Sequence, residues 1–205
     1  MHKNSLKRIY GDYVYFITSC VDDKIESFRE KLFCELWINE LKMAKEMHKF
    51  QLYAFCLNYN HFHLLIKPNN KIADYSEIVK FLKRNFSQNV NKIMGYNKFI
   101  LHYGDDNANN LSSVGDNAHC RLQSSWRFRM DNFISDLRNE FMQKHGINHN
   151  FPKFKWQKSF HDHIIRNEND FNNYWNYTMH NFKKHNLPDD WQYTGLKFPE
   201  MIDEE

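Results

Sequence analysis

Apolar and aromatic residues run almost unbroken from Tyr13 to Val21, YVYFITSCV. A short run this rich in β-branched and aromatic side chains predicts a buried strand. Ser27, with Glu30 three residues on, has the form of a capping box. The helix it opens repeats Phe28, Leu32, Leu36 and Leu41, and Phe33, Trp37 and Ala44 widen the stripe. Phe50–Asn58, FQLYAFCLN, predicts a second strand, and His61–Pro68, HFHLLIKP, a third that Pro68 stops. Only Tyr59 and Asn60 separate these two, so a hairpin is expected. From Ser76 to Met94 the period turns helical. Ile78, Leu82, Phe86, Val90 and Ile93 face inward, with Lys80, Lys83, Arg84, Ser87, Asn91 and Lys92 on the other side and Gly95 as the stop.

His102–Ser125 is rich in Asn, Asp, Gly and Ser with little periodicity, which predicts a long loop or insertion. Phe133, Leu137 and Phe141 then mark a helix near Asp131–His145. Phe154–Arg166, FKWQKSFHDHIIR, reads as a strand and its approach. Asn167–Asn186 reads as a last helix with Pro188 beyond it, and Asp189–Glu205 as an irregular tail. The order predicts one domain over residues 1–188, with the insertion at 102–125 and the tail at 189–205. Strands mixed with helices around a central hairpin predict an α+β fold. The expected form is a ferredoxin-like antiparallel sheet with helices packed on one face.

Composition adds limits. The 205 residues are 41% apolar and 17% aromatic, enough for a core. A net charge of +3 is too small to argue for a polyanionic partner. Cys20, Cys34, Cys56 and Cys120 form no CxxC pair and read as reduced cytosolic thiols. No apolar stretch approaches the 18 residues of a membrane span, and no signal region opens the chain. The 12 histidines are the surplus, and they direct attention to metal or phosphate chemistry.

Two of them stand one residue apart in His61-Phe62-His63. Strand side chains alternate, so both imidazoles share one face and Phe62 takes the other. They form either half of a metal site or two unrelated side chains, one exposed and one hydrogen-bonded. A second pair, His161-Asp162-His163, would turn an aspartate toward the core. It is therefore expected at a strand end, on a surface or behind the metal ligands. On the last helix Tyr177 and Asn181 are four apart and share a face. Asn181 offers an amide oxygen as a third ligand, which favours Mg²⁺ or Mn²⁺. Tyr177 is either an amphipathic packing residue or a nucleophile beside the cation.

These residues carry a resemblance. HFH on a strand after strand–helix–strand, followed by WQKSFHDHIIRNENDFNNYWNYTMHN, resembles the single-tyrosine HUH transposases of the IS200-like superfamily, in particular the REP-associated tyrosine transposase branch. The HUH pair falls on His61 and His63. The approach to the last strand falls on Trp156, Gln157, Phe160, Asp162, His163, Ile165 and Arg166. The nucleophile falls on Tyr177 and the polar residue completing the metal site on Asn181. The chain departs from the pattern in lacking a proline before HFH and an Asn-Pro after the tyrosine helix.

The resemblance implies a metal-dependent single-stranded DNA transposase, cytoplasmic and nucleoid-associated, a monomer or homodimer. It would nick and rejoin DNA beside hairpins through a 5′-phosphotyrosine bond. His61, His63 and Asn181 would hold Mg²⁺ or Mn²⁺. Backbone contacts are expected from Lys80, Lys83, Arg84, Arg127, Arg129, Lys155, Lys158 and Arg166, and base stacking from Trp126 and Trp156. Arg166 and His163 lead among these, since they lie in the family-like block. Two alternatives stay open: a silent hairpin-binding protein, and a metallonuclease that activates water.

Overall fold

The structure is a computed structural model and describes residues 9–96 and 118–204. Its centre is a four-stranded antiparallel sheet. The strands are β1 (Tyr15–Cys20), β2 (Gln51–Asn58), β3 (His61–Lys67) and β4 (His161–Ile164), in the order β2-β3-β1-β4. Each strand of the sequence reading is present, a few residues shorter at its ends. The Tyr59–Asn60 link closes the β2–β3 hairpin, which has one register shift between Leu52 and Ala54.

Alternation gives the sheet two faces. Ile17, Phe55, Leu57, Phe62, Leu64 and Ile66 turn to the larger core. They meet helices α1 (Lys31–His48), α2 (Tyr75–Ile93) and α3 (Ala118–His145) there. Trp37 fills the middle, 1% exposed, with its ring against Phe55 and Phe62. The α+β, ferredoxin-like expectation holds. The expectation of helices on one face alone does not. Helices α4 (Glu168–Met179) and α5 (Asn181–Lys184) cross the second face. Phe171 and Met179 seal there against Tyr53, Ala54 and Leu65. These side chains make both faces of the hairpin apolar, so both require a cover.

Helix ends differ from the sequence reading where a tertiary partner competes. Ser27–Arg29 forms a separate 3₁₀ turn. Glu30 caps α1, its carboxylate accepting from the Leu32 N–H and from Lys144 and His145 at the far end of α3. The capping box lies instead at Asp74 and Glu77 on α2. Helix α3 begins at Ala118, so the end of the 102–125 segment is helical rather than loop. No Gly or Pro interrupts the chain from Ala118 to His145, so the helix extends back from its amphipathic part. Residues 102–117 lie outside the described residues. The last helix breaks at His180, whose φ of −110° and ψ of 11° separate α4 from α5.

The tail runs along the free edge of β2. The Leu57 N–H donates to the Tyr193 carbonyl and the Trp191 indole to the Leu57 carbonyl. Asp203 pairs with both the N–H and the C=O of Leu52, and with Lys45. Backbone groups that an edge strand would leave open are thereby used. Among the described residues no helix is long and apolar enough to cross a membrane.

Candidate metal and nucleophile site

The site lies on the second face, under α4 and α5. His61 and His63 emerge together from β3, as alternation requires, with ring centroids 4.9 Å apart. Both are buried, at 8% and 4% exposed. Each ring is fixed through Nδ1. His63 Nδ1 lies 2.7 Å from the Thr18 hydroxyl, and His61 Nδ1 lies 2.8 Å from the Asn60 amide oxygen. An N–H donated from each Nδ1 leaves both Nε2 atoms as lone pairs, the tautomer a metal ligand needs. Burial, and then the neighbouring imidazoles, lowers His61 to about 4 and His63 to about 3. Both rings are therefore neutral near pH 7.

Asn181 reaches this pair from the first turn of α5, 1% exposed. The helix break at His180 precedes it directly. The carbonyl of Met179 beside the break accepts from the Thr194 hydroxyl of the tail. The Asn181 oxygen accepts from the Asn58 amide at 3.0 Å, and the same Asn58 nitrogen lies 3.1 Å from His61 Nε2. His63 Nε2 is buried with no hydrogen-bond partner among the described residues. Two imidazole lone pairs and an amide oxygen, one of them orphaned, suit a divalent cation. Among the described residues no three His, Cys, Asp or Glu side chains form such a group. Asn181 is thus needed to complete the set.

Tyr177 stands one turn before Asn181 and is 37% exposed, the most open residue of the group. Its ring centroid is 5.3 Å from that of His63 and 5.8 Å from that of Phe16. Lys184 Nζ lies 5.1 Å from its ring centroid. The structure thus brings together Tyr177, His61, His63 and Asn181, residues separated by more than a hundred positions. It adds three that the sequence reading passed over: Asn58, Lys184 and His185, whose ring is 4.6 Å from that of His61. His185 is four residues past Asn181, so the same spacing that paired Tyr177 with Asn181 could have found it.

The second histidine pair is sited differently. β4 is a sheet edge, and Asp162 does turn toward the α1–α3 layer, where the Tyr75 hydroxyl donates to it at 3.0 Å. His163 faces the site side but is tied down. Its ring stacks on Tyr174 with centroids 4.6 Å apart, and its Nε2 is 3.0 Å from the Asp170 carboxylate. Asp170 also accepts from the Arg166 N–H. These hydrogen bonds outweigh slight burial and hold its carboxyl below the usual range. His163 therefore anchors the start of α4, which carries Tyr177, and Arg166 beside it is exposed.

The remaining candidates separate into two groups. Lys80, Lys83, Arg84, Lys155 and Lys158 line one groove of about 570 Å³ between α2 and the 154–160 segment. Lys83 is partly used, donating to the Gln157 and Ser159 carbonyls. Asn91, expected on the outer face of α2, is buried and pairs with both backbone groups of Phe154. Trp156 lines the same groove and is half-buried. Its ring packs against Phe28, Phe62, Phe86 and Phe154, and its backbone bridges to Val21. Trp126 donates its indole N–H to Glu46, and Arg129 lies 4.2 Å over its ring. The Arg127 side chain lies outside the described residues.

Comparison with known proteins adds three findings. The family model described as "Transposase IS200 like" matches residues 12–103, a span holding both histidines of HFH but not the tyrosine helix. No curated protein sequence matches the chain. A solved structure, "Structure of the REP associates tyrosine transposase bound to a REP hairpin", is similar with a TM-score of 0.57 and 14% identity, over 94% of this chain and 82% of that one. The resemblance drawn from the motifs thus stands: residues 12–103 carry the IS200-like transposase pattern, and nearly the whole chain has the fold of a REP-associated tyrosine transposase.

Proposed function

We propose that the protein is a divalent-metal-dependent transposase that cuts and rejoins single-stranded DNA beside a hairpin, with Tyr177 as nucleophile. The observation that carries this reading is the buried His63 Nε2, without a hydrogen bond among the described residues, in one cluster with His61 and Asn181 and with an open phenol beside it. A bound cation would neutralise the scissile phosphate and make its phosphorus more electrophilic. The Tyr177 oxygen attacks that phosphorus. A phosphorus–phenol bond forms and the bond to the 3′ oxygen breaks. The phenol proton goes to solvent and the leaving oxygen takes one up, giving a 3′-hydroxyl and a 5′-phosphotyrosine bond. Reversal by another 3′-hydroxyl joins strands without external energy. Lys184, beside the Tyr177 ring, supplies positive charge where the phosphate must lie.

Substrate binding follows from the exposed cations. Lys80, Arg84, Lys155 and Lys158 are exposed, with no ion pair among the described residues. The groove they line meets β1 at Cys20, the residue paired with His61, through the Gln157 N–H. These cations suit the groove to phosphates, and the half-buried Trp156 lines it beside them. Arg166 is a separate exposed contact beside α4. His163 acts by positioning that helix.

The test is a denaturing gel of end-labelled hairpin DNA from the chromosomal flanks of the coding sequence, incubated with protein and Mg²⁺ or Mn²⁺. A covalent adduct is expected. It should vanish in Tyr177→Phe, and fall at least about a hundredfold in His63→Ala. Cleavage that survives Tyr177→Phe would replace this reading with a water-activating nuclease. Hairpin binding without an adduct would replace it with a silent binding protein.

A further inference from the structure

Asn58 is the last residue of β2 and lies opposite His61 in the register, on the same face. It is 1% exposed. Its amide nitrogen makes two contacts, to Asn181 Oδ1 at 3.0 Å and to His61 Nε2 at 3.1 Å. These are the same two atoms that, with His63 Nε2, make up the candidate metal set. A single NH₂ group therefore bridges two lone pairs that a cation would also bridge. It stands where positive charge is wanted.

That arrangement cannot persist around an ion. Mg²⁺ holds oxygen ligands at about 2.0–2.1 Å, and an amide N–H, a donor, cannot face a cation. A half-turn of the Asn58 amide exchanges nitrogen for oxygen in place. Little opposes it: among the described residues the hydrogen-bond partner of the Asn58 oxygen is the Cys56 thiol, with sulfur 3.9 Å away. A thiol is a weak donor and a weak acceptor, so it tolerates either end of the amide. Burial keeps that thiol protonated, its pKa pushed up to about 12.

We propose that Asn58 is a further protein ligand of the divalent cation, its amide turning from donor to acceptor when the ion enters. The inference rests on the metal-dependent reading above. It gives the centre two imidazole nitrogens and two amide oxygens.

Mn²⁺ titration of the full chain, followed by the electron paramagnetic resonance of the free aqua ion, tests this without DNA. Asn58→Ala is expected to raise the Mn²⁺ Kd at least about tenfold. Asn58→Asp, which keeps the shape and adds charge, is expected to match or tighten wild-type binding. Unchanged or tighter binding by Asn58→Ala would overturn the proposal, since removing a mere occupant frees the site for the ion. Thermal melting by circular dichroism checks that each variant folds. Should Asn58→Ala fail to fold, Asn58→Asp decides, and weaker binding by it overturns the proposal. His63→Ala separates the two levels. Wild-type binding by His63→Ala, or no binding by wild type, removes the metal centre itself.

Discussion

The two buried imidazoles tie stability to pH. An unfolded histidine titrates near 6.5, whereas burial first, and then their neighbours, hold His61 at about 4 and His63 at about 3. Between those values the unfolded chain takes up protons that the folded chain refuses. Stability of the metal-free protein therefore falls as pH drops below 6.5, and stops falling once the folded rings also titrate. The expected loss between pH 7 and pH 5 is on the order of 1–2 kcal/mol per histidine, read by urea denaturation at fixed ionic strength. His63→Phe keeps a ring stacked on Phe16 and should flatten part of that slope. A flat wild-type profile over this window would contradict buried neutral rings.

At the scale of elements, α2 and the 154–160 segment act as a pair. Asn91 and Lys83 hold the segment by its carbonyls, and the exposed Lys80, Arg84, Lys155 and Lys158 lie along the resulting groove. If DNA phosphates lie there, Lys80→Ala with Arg84→Ala should weaken hairpin binding evenly across sequences. It should also reduce the slope of log K against log salt by about 1–2, measured by fluorescence anisotropy over a salt series. An unchanged slope would move the contact elsewhere. Lys83→Ala should differ in kind, lowering stability because two carbonyls lose their donor. The helix pair α4–α5 shows a related division of labour. Its spacing was legible from Tyr177 and Asn181, but its break at His180 was not. No Gly or Pro lies at the break, and the hydroxyl of Thr194 in the distant tail segment donates to the Met179 carbonyl beside it.

For the molecule as a whole, the tail matters more than its irregular sequence suggests. Residues 189–204 use the N–H and C=O groups of Leu52 and Leu57 along the edge of β2. Deleting 189–205 should lower the melting temperature and produce concentration-dependent aggregation in light scattering, because it bares that edge. A truncated chain that melts and scatters like wild type would show that the tail only decorates the sheet. The same tail segment also buttresses the site through Thr194, so binding face and sheet edge share one support.

Local periodicity determined the four strands, their hairpin, the main helices and the α+β class, because alternation and helical spacing are properties of neighbouring residues. It also determined that His61 and His63 share a face, and that Tyr177 and Asn181 share another. Only the tertiary structure decided that these two faces meet. It also decided that α4 and α5 cover the sheet's second face, that Glu30 rather than Ser27 caps α1, and that one side of Trp156 packs against the core. Asn58 belongs to the same class. Nothing near it in sequence marks it as facing the Asn181 oxygen, which is 123 residues away. Such contacts depend on burial and on pairing across the sheet, and a local pattern does not carry them.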